Sequence, residues 1–314
     1  MHCLSLQFHD PYFNLAVEEY LLRNKKGEYL ILGINSQSVI IGKHQSPHRE
    51  TDTRYITEHN IPVIRRITGG GTVYHDMGNL NFTFIRECEP GKQVDFLRYT
   101  QPVIDFLSSR GIDAKFEGKN DLKVNGLKIS GNAEHVYRNR VIHHGTLLFN
   151  ASLEILKGSL RKDPSCYSTR AVVSNPSSVT NIKPFIPGIT DVFELREAML
   201  NFFMSAIPGA VKGEITDKEI DEISFLADSK YRSWEWNWAY GPEYKIIKQF
   251  EYQGYRVLCR MTVKDGLIRE CVLEGHSGLA VIAEKLIGRR HMVDDFKDFF
   301  RQEDTRDIDI FDFF

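Results

Sequence analysis

Residues 64–84 read I-R-R-I-T-G-G-G-T-V-Y-H-D-M-G-N-L-N-F-T-F. Gly69, Gly70 and Gly71 follow the Arg65-Arg66 pair and lead into a segment in which Leu80, Phe82 and Phe84 alternate as on a strand. Glycine carries no Cβ, so the run lets backbone N–H groups approach an anion that side chains would otherwise block. The arginines add fixed positive charge and planar donors beside it. No G-x-x-x-x-G-K-[ST] is present and no helix-forming run begins after Gly71, so neither a P-loop nor a Rossmann fingerprint is met. The pattern predicts strand, glycine loop, strand, with strands over 61–68 and 72–85: a phosphate or carboxylate cradle built on a sheet, with His75 and Asp76 just beyond it.

Outward from this stretch, a length of 314 residues predicts one large and one small domain. The formal net charge of −2 argues against general nucleic-acid binding, because no basic excess is available to neutralise phosphates. Cys3, Cys88, Cys166, Cys259 and Cys271 are odd in number and widely spaced, with no C-x-x-C pair. Neither a disulfide framework nor a zinc knuckle is expected, and a reduced cytoplasm fits best. The first residues show no basic-then-apolar secretory pattern, and no apolar run approaches membrane-spanning length. Periodicity predicts an amphipathic helix over 11–24, a short helix over 51–60, helices over 96–110 and 192–207, and four strands between the third helix and Phe149. All three tryptophans fall in W-E-W-N-W-A-Y-G-P at 234–242, read as packing at a domain junction rather than as a binding surface. Beyond it, strands over 244–250, 255–263 and 267–273 and helices over 278–287 and 292–303 form a small module, with Lys264-Asp265-Gly266 at a hairpin turn.

A second constellation lies at 120–131, N-D-L-K-V-N-G-L-K-I-S-G. Asn125-Gly126 between alternating runs signals a two-residue type I′ turn. That turn predicts Val124 opposite Leu127, Lys123 opposite Lys128, Leu122 opposite Ile129 and Asp121 opposite Ser130, with Asp121, Lys123, Lys128 and Ser130 on one face. Two lysines directly opposed are unfavourable unless an anion joins them or they splay into solvent. Downstream, His143 and His144 are adjacent on a predicted strand, hence on opposite faces, which favours hydrogen-bonding roles over shared zinc ligation.

Taken together, R-R-I-T-G-G-G-T-V-Y-H-D-M-G-N at 65–79, N-D-L-K-V at 120–124, L-K-I-S-G-N-A at 127–133 and H-H-G-T-L-L at 143–148 resemble the lipoate–protein ligases in order and spacing. The runs P-Y-F-N-L-A-V-E-E at 11–19, V-T-N-I at 179–182 and S-W-E-W-N at 233–237 are similar to that family as well, so the resemblance covers most of 8–240. It implies ATP-dependent activation of lipoate or octanoate to an acyl-AMP, with pyrophosphate released, then transfer to a lysine of an acceptor. The acceptors it implies are lipoyl domains of 2-oxoacid dehydrogenase complexes and the glycine-cleavage H protein. Arg66 and the positions Gly71, Thr72, Val73 and Tyr74 match the loop that holds nucleotide and lipoate. Lys128 matches the lysine that touches both the acyl carbonyl and the phosphate, the catalytic candidate. The same correspondence makes Gly69, Gly70, His75, Asn120, Asp121, Gly131, His144 and Thr146 candidates for the substrate site. Asp121 is open between a Mg²⁺ ligand and an orienter of Lys128. Departures are Gly33 where many ligases carry a tryptophan, which implies a wider acyl tunnel, His135 in place of an arginine, and I-T in place of S-S before the glycines.

The expected fold is therefore α+β: a large mixed-sheet domain of the biotin/lipoate ligase type with flanking helices over 1–243, and a small α+β accessory domain over 244–314. A transferase of the same superfamily, using an acyl group activated or carried by another protein, is the first alternative, with Cys166 its candidate thiol. A non-catalytic protein that binds lipoyl domains is the other.

Overall fold

The computed structural model describes residues 1–88, 94–303, 305 and 308–314. The chain forms two compact units, one built from 1–43, 62–156 and 174–232, the other from 44–61, 157–173 and 233–314.

The first unit is organised on an eight-stranded mixed sheet. Its strands run in the order Val211–Lys212, His2–Ser5, Tyr29–Gly33, Asn79–Glu87, Arg140–Leu148, Leu127–Tyr137, Asp121–Val124 and Lys115–Glu117. The first three are mutually parallel and every later pairing is antiparallel. Phe82, Phe84, Phe106, Met199 and Phe203 form the core between this sheet and the helices Phe96–Ser109 and Val192–Ala206. The helix Pro11–Asn24 starts where Asp10 accepts from the Tyr12 amide, with proline in its first turn. Its far end is closed by buried Arg140, which donates to the carbonyls of Leu21, Leu22, Lys25 and Gly27 at 2.5–2.8 Å. This helix is not amphipathic as expected. Nearly every residue from Pro11 to Leu22 is buried, Glu18 and Glu19 included, because their carboxylates accept from the buried hydroxyls of Thr83 and Tyr231.

The strands around the glycine loop lie in a separate three-stranded sheet. Val63–Arg65 pairs in parallel, and Val73–His75 antiparallel, with Ser38–Ile41. The single strand expected over 72–85 is two strands in two sheets. The break comes at Asp76, whose carboxylate accepts from the amides of Gly78 and Ser152, both at 2.8 Å. Gly78 is pressed so close that an added Cβ would lie 2.1 Å from the Asn150 carbonyl oxygen. Backbone cannot swing aside as a side chain can, so Gly78→Ala is expected to cost about 2–3 kcal/mol, seen as a lowered urea midpoint.

The type I′ turn is present, with φ of 52° at Asn125 and 77° at Gly126. Val124 faces Leu127 and Lys123 faces Lys128 as predicted, but the register then shifts: Leu122 faces Ser130 and Asp121 faces Gly131. Ile129 is the extra residue of a β-bulge, a device that re-aims neighbouring side chains. The predicted pairs Leu122–Ile129 and Asp121–Ser130 are therefore corrected. Each opposed lysine has its own carboxylate: Lys123 meets Glu117 at 3.0 Å and Lys128 meets Asp121 at 2.8 Å.

The second unit carries a four-stranded antiparallel sheet, Tyr167–Thr169, Tyr244–Tyr252, Tyr255–Lys264 and Leu267–Glu274, packed with helices Leu279–Leu286 and Val293–Gln302 through Val257, Phe296, Phe299 and Phe313. Asp265 and Gly266 form its tight turn with φ of 53° and 69°. The tryptophans pack within this unit: Trp238 lies 4.7 Å from the His48 ring, Trp234 covers Gly266 beneath Arg290, and Trp236 meets Tyr240 at 4.8 Å.

Two buried histidines join two of its chain segments, 44–61 and 233–314. His48 Nε2 lies 2.9 Å from the His291 carbonyl and His291 Nε2 lies 2.9 Å from that of Phe313. A carbonyl only accepts, so both rings carry their proton on Nε2. Nδ1 is left to accept, from Thr53 Oγ1 at 3.2 Å and the Tyr244 hydroxyl at 2.7 Å. Burial disfavours a second, charging proton and pushes His291 down to about 4 and His48 well below the usual imidazole range. The unfolded chain takes up these protons near pH 6.5, whereas the folded unit resists them. Stability is therefore full above about pH 6.5 and falls as pH drops from there towards 4, by up to ~1.4 kcal/mol per pH unit for each histidine. Urea melts followed by tryptophan fluorescence, which reports on this unit, should show that slope, and His291→Gln should flatten it.

Candidate functional site

The glycine loop is shaped from beneath by Arg66. This guanidinium is 4% exposed, and it donates to the Ile40 carbonyl at 3.1 Å, to Thr68 Oγ1 at 2.8 Å, and to the carbonyls of Gly69 and Gly71 at 2.5 and 2.7 Å. Burial pushes it down to about 10, so it remains cationic at neutral pH. Turning the loop carbonyls towards Arg66 is what a cradle needs if its amides are to face the other way. Gly70 has φ of +85°, and a Cβ on it would meet the guanidinium at 3.0 Å. Arg65, fully buried, instead donates to the carbonyls of Gly42 and Lys43.

The tertiary fold brings the other motifs to this loop. Ala133, on the strand that carries Lys128, would touch a Cβ on Gly70 at 3.5 Å. Thr68 Oγ1 lies 2.8 Å from His144 Nε2. The segment 174–180 spans both anion-binding motifs. Ser174 Oγ accepts from the Thr72 amide at 2.8 Å, and the Lys128 backbone exchanges hydrogen bonds of 2.9 Å with Ser178 and Thr180. The Lys128 stem lies over Gly131, where a Cβ would sit 3.0 Å from Cε and 3.1 Å from Nζ.

Hydrogen-bond direction settles several side chains. Asn14 donates to Asn35 Oδ1 at 2.7 Å, so the Asn35 amide nitrogen faces His75 Nδ1, 3.0 Å away. His75 therefore carries its proton on Nε2, and that buried donor has no partner. Burial, with His144 and Arg66 nearby, pushes His75 down to about 3, so it is neutral at physiological pH. Ser130 Oγ and Asn132 Oδ1, on the Lys128 strand, are likewise buried without a partner. Of these, His75 lies on the loop side beside Arg66 and His144, whereas Ser130 and Asn132 share the sheet face of Leu122 and Phe82, turned to the core.

Among the other sequence-derived candidates, Asn120 and Asn132 clamp each other, each side-chain amide donating to the other's backbone carbonyl. Asn120 thus holds the hairpin. Thr146 is buried two residues from His144 and pairs with Asn81, while Val73 and Tyr74 lie on the strand after the loop. His143 and His144 point to opposite faces as predicted, paired with Glu134 at 2.8 Å and Glu18 at 2.9 Å. Sequence reasoning did not single out Glu18, Asn35 or Ser174. The adjacent glutamates in an apolar helix were the one available signal. Among the described residues no group of three His, Cys, Asp or Glu side chains is disposed to hold a metal ion, and no helix is long and apolar enough to cross a membrane.

A glycine loop shaped by a buried arginine, with Lys128 on a bulged hairpin tied to it through the segment 174–180, forms a cationic site of the kind suited to an anionic ligand. Residues 10–204 match the lipoyl protein ligase A/B catalytic domain family. The chain is 35% identical over 268 residues to lipoate–protein ligase 1 of Staphylococcus aureus, covering 85% of this chain and 81% of that one. It superposes with a TM-score of 0.64 on the bipartite lipoate protein ligase of Thermoplasma acidophilum, a structural study that includes its E2 lipoyl domain. There the identity is 27%, with 75% of this chain and 95% of the other covered. With a lipoate-protein ligase A bound with ATP the TM-score is 0.63 and the identity 26%, over 76% and 98% of the chains. The chain belongs to the lipoyl protein ligase A/B family.

Proposed function

We propose that this protein is an ATP-dependent lipoate–protein ligase that forms lipoyl-AMP or octanoyl-AMP and transfers the acyl group to a lysine of an acceptor protein. The observation that carries this reading is the placement of Lys128 against the glycine loop through the shared segment 174–180. In the first step the acid's carboxylate oxygen attacks the α-phosphorus of ATP, and the bond to the pyrophosphate leaving group breaks. Two anions must approach and further charge builds in the transition state. The Lys128 ammonium supplies a mobile point charge there, and the amides of the Arg66-shaped loop supply oriented donors. The His75 Nε2–H, beside Arg66 and His144, offers a further polar contact to the bound adenylate. In the second step the acceptor lysine's amine attacks the acyl carbonyl, an amide forms and AMP leaves.

Mg²⁺ would shield the nucleotide phosphates. It ordinarily takes one or two carboxylates together with phosphates and waters, and Asp121 beside Lys128 fits as its protein ligand. The acceptors are proposed to be lipoyl domains of 2-oxoacid dehydrogenase complexes or the glycine-cleavage H protein, a class supported by the E2 lipoyl domain studied with the Thermoplasma relative. Catalysis is assigned to 1–243, and an accessory role to the tail beginning at Tyr244.

Pyrophosphate release from the purified protein with ATP, Mg²⁺ and lipoate or octanoate tests the reading. Acid-dependent release is expected, and the ratio between the acids reports on the chain lengths admitted beside Gly33. No release, with transfer from synthetic lipoyl-AMP retained, would make the protein a transferase that relies on a separate activating partner.

A further inference from the structure

The hydrogen bonds that shape the glycine loop continue beyond Arg66 into the first helix. Arg66 Nε donates to Thr68 Oγ1 at 2.8 Å, Thr68 Oγ1 lies 2.8 Å from His144 Nε2, and His144 Nδ1 lies 2.9 Å from Glu18 Oε2. Glu18 Oε1 accepts from Thr83 Oγ1 at 2.5 Å. Every link is buried or nearly so, and the residues come from four separate stretches of the first unit.

We propose that Glu18 is a positioning residue, acting through His144 and Thr68 to keep Arg66 clamped on the loop carbonyls so that the loop amides face the nucleotide. The inference rests on the ligase reading for the identity of that anion, but not for the geometry of the chain. Direction carries the argument. A guanidinium only donates, so Thr68 Oγ1 must accept from Arg66, and its single proton is then free for one acceptor. His144 Nε2 can be that acceptor only if the ring's proton is on Nδ1. The Glu18 carboxylate facing Nδ1 selects that tautomer, because the other would set a ring lone pair against a carboxylate oxygen. With the opposite tautomer, Nε2–H and Arg66 Nε would both donate to Thr68, whose own proton would turn towards the Gly69 carbonyl at 3.5 Å, one of the groups Arg66 holds. Glu18 thus determines a proton position three hydrogen bonds from the loop. Its neighbour Glu19 is committed elsewhere, to Lys230, Tyr231 and Arg23.

The test uses the full-length protein as Glu18→Gln, Thr68→Val, Thr68→Ser and the double variant Glu18→Gln/Thr68→Val. Amide hydrogen exchange is read in the segment 64–76, alongside the KM for ATP and kcat of acid-dependent pyrophosphate release. Glu18→Gln and Thr68→Val are each expected to speed loop exchange and to raise the KM for ATP about tenfold, with a smaller fall in kcat. Thr68→Ser, which keeps the hydroxyl, should stay near wild type. The double variant should be no worse than the more affected single one, because both act on one path. Unaltered loop exchange in Glu18→Gln, additive losses in the double variant, or an effect confined to the KM for the acid would overturn the proposal. Should the wild type release no pyrophosphate, the ligase reading fails, and the exchange data still decide whether Glu18 holds the loop.

Discussion

Lys128→Ala is expected to abolish acid-dependent pyrophosphate release while leaving the fold intact. The Lys128 ammonium is the cation proposed to meet the developing charge, and its side chain is 22% exposed beside Asp121. Loss of a preorganised charge that meets developing negative charge costs about 3 kcal/mol or more, roughly a hundredfold or greater fall in turnover. Its ion pair with Asp121, being partly solvated, contributes at most ~1 kcal/mol to stability. A melting temperature close to wild type is therefore expected beside the lost turnover. Near-normal turnover would remove Lys128 from the chemistry. Loss of transfer from synthetic lipoyl-AMP to a similar degree would mean that the lysine serves the second step as well, through the acyl carbonyl.

Arg66→Lys should fail in a different way, through the scaffold. The planar guanidinium reaches four acceptors in four directions, and an ammonium has three donors on a flexible stem that cannot reproduce that fork. Half-buried carbonyls of Gly69 and Gly71 and the buried Ile40 carbonyl would lose their donors, at a cost of about 3 kcal/mol in stability together with loss of ATP-dependent activity. A urea melt and the pyrophosphate assay on the same preparation check both. An unchanged urea midpoint with activity lost would show that Arg66 acts on the ligand directly rather than by shaping the loop.

Much of the site was legible because its signals are local. Three glycines after an arginine pair, Asn-Gly between alternating runs, and adjacent histidines on a strand each constrain the backbone within a few residues. The loop, the type I′ turn and the opposed faces of His143 and His144 all follow from them. The register of the hairpin was legible only as far as Lys123 and Lys128. Beyond that, burying both Ile129 and Ser130 decided the pairing, and period two cannot report a bulge. The helix at 11–24 shows the opposite error. Its glutamates suggested a solvent face, whereas Glu18 reaches His144, 126 residues away, and Glu19 reaches Tyr231, 212 residues away.

By itself the sequence determined the glycine cradle, the lysine hairpin and the order of elements around them, because backbone sterics and side-chain period act over a turn or a strand. Only the tertiary structure decided which buried donor meets which acceptor. It turned Arg66 inward to hold the loop, linked Glu18 through His144 to Thr68, and drew His48 into the core of the tail with His291. The physical reason is that a buried polar group must find a partner wherever the packed chain offers one, and that demand leaves no mark on the residues beside it.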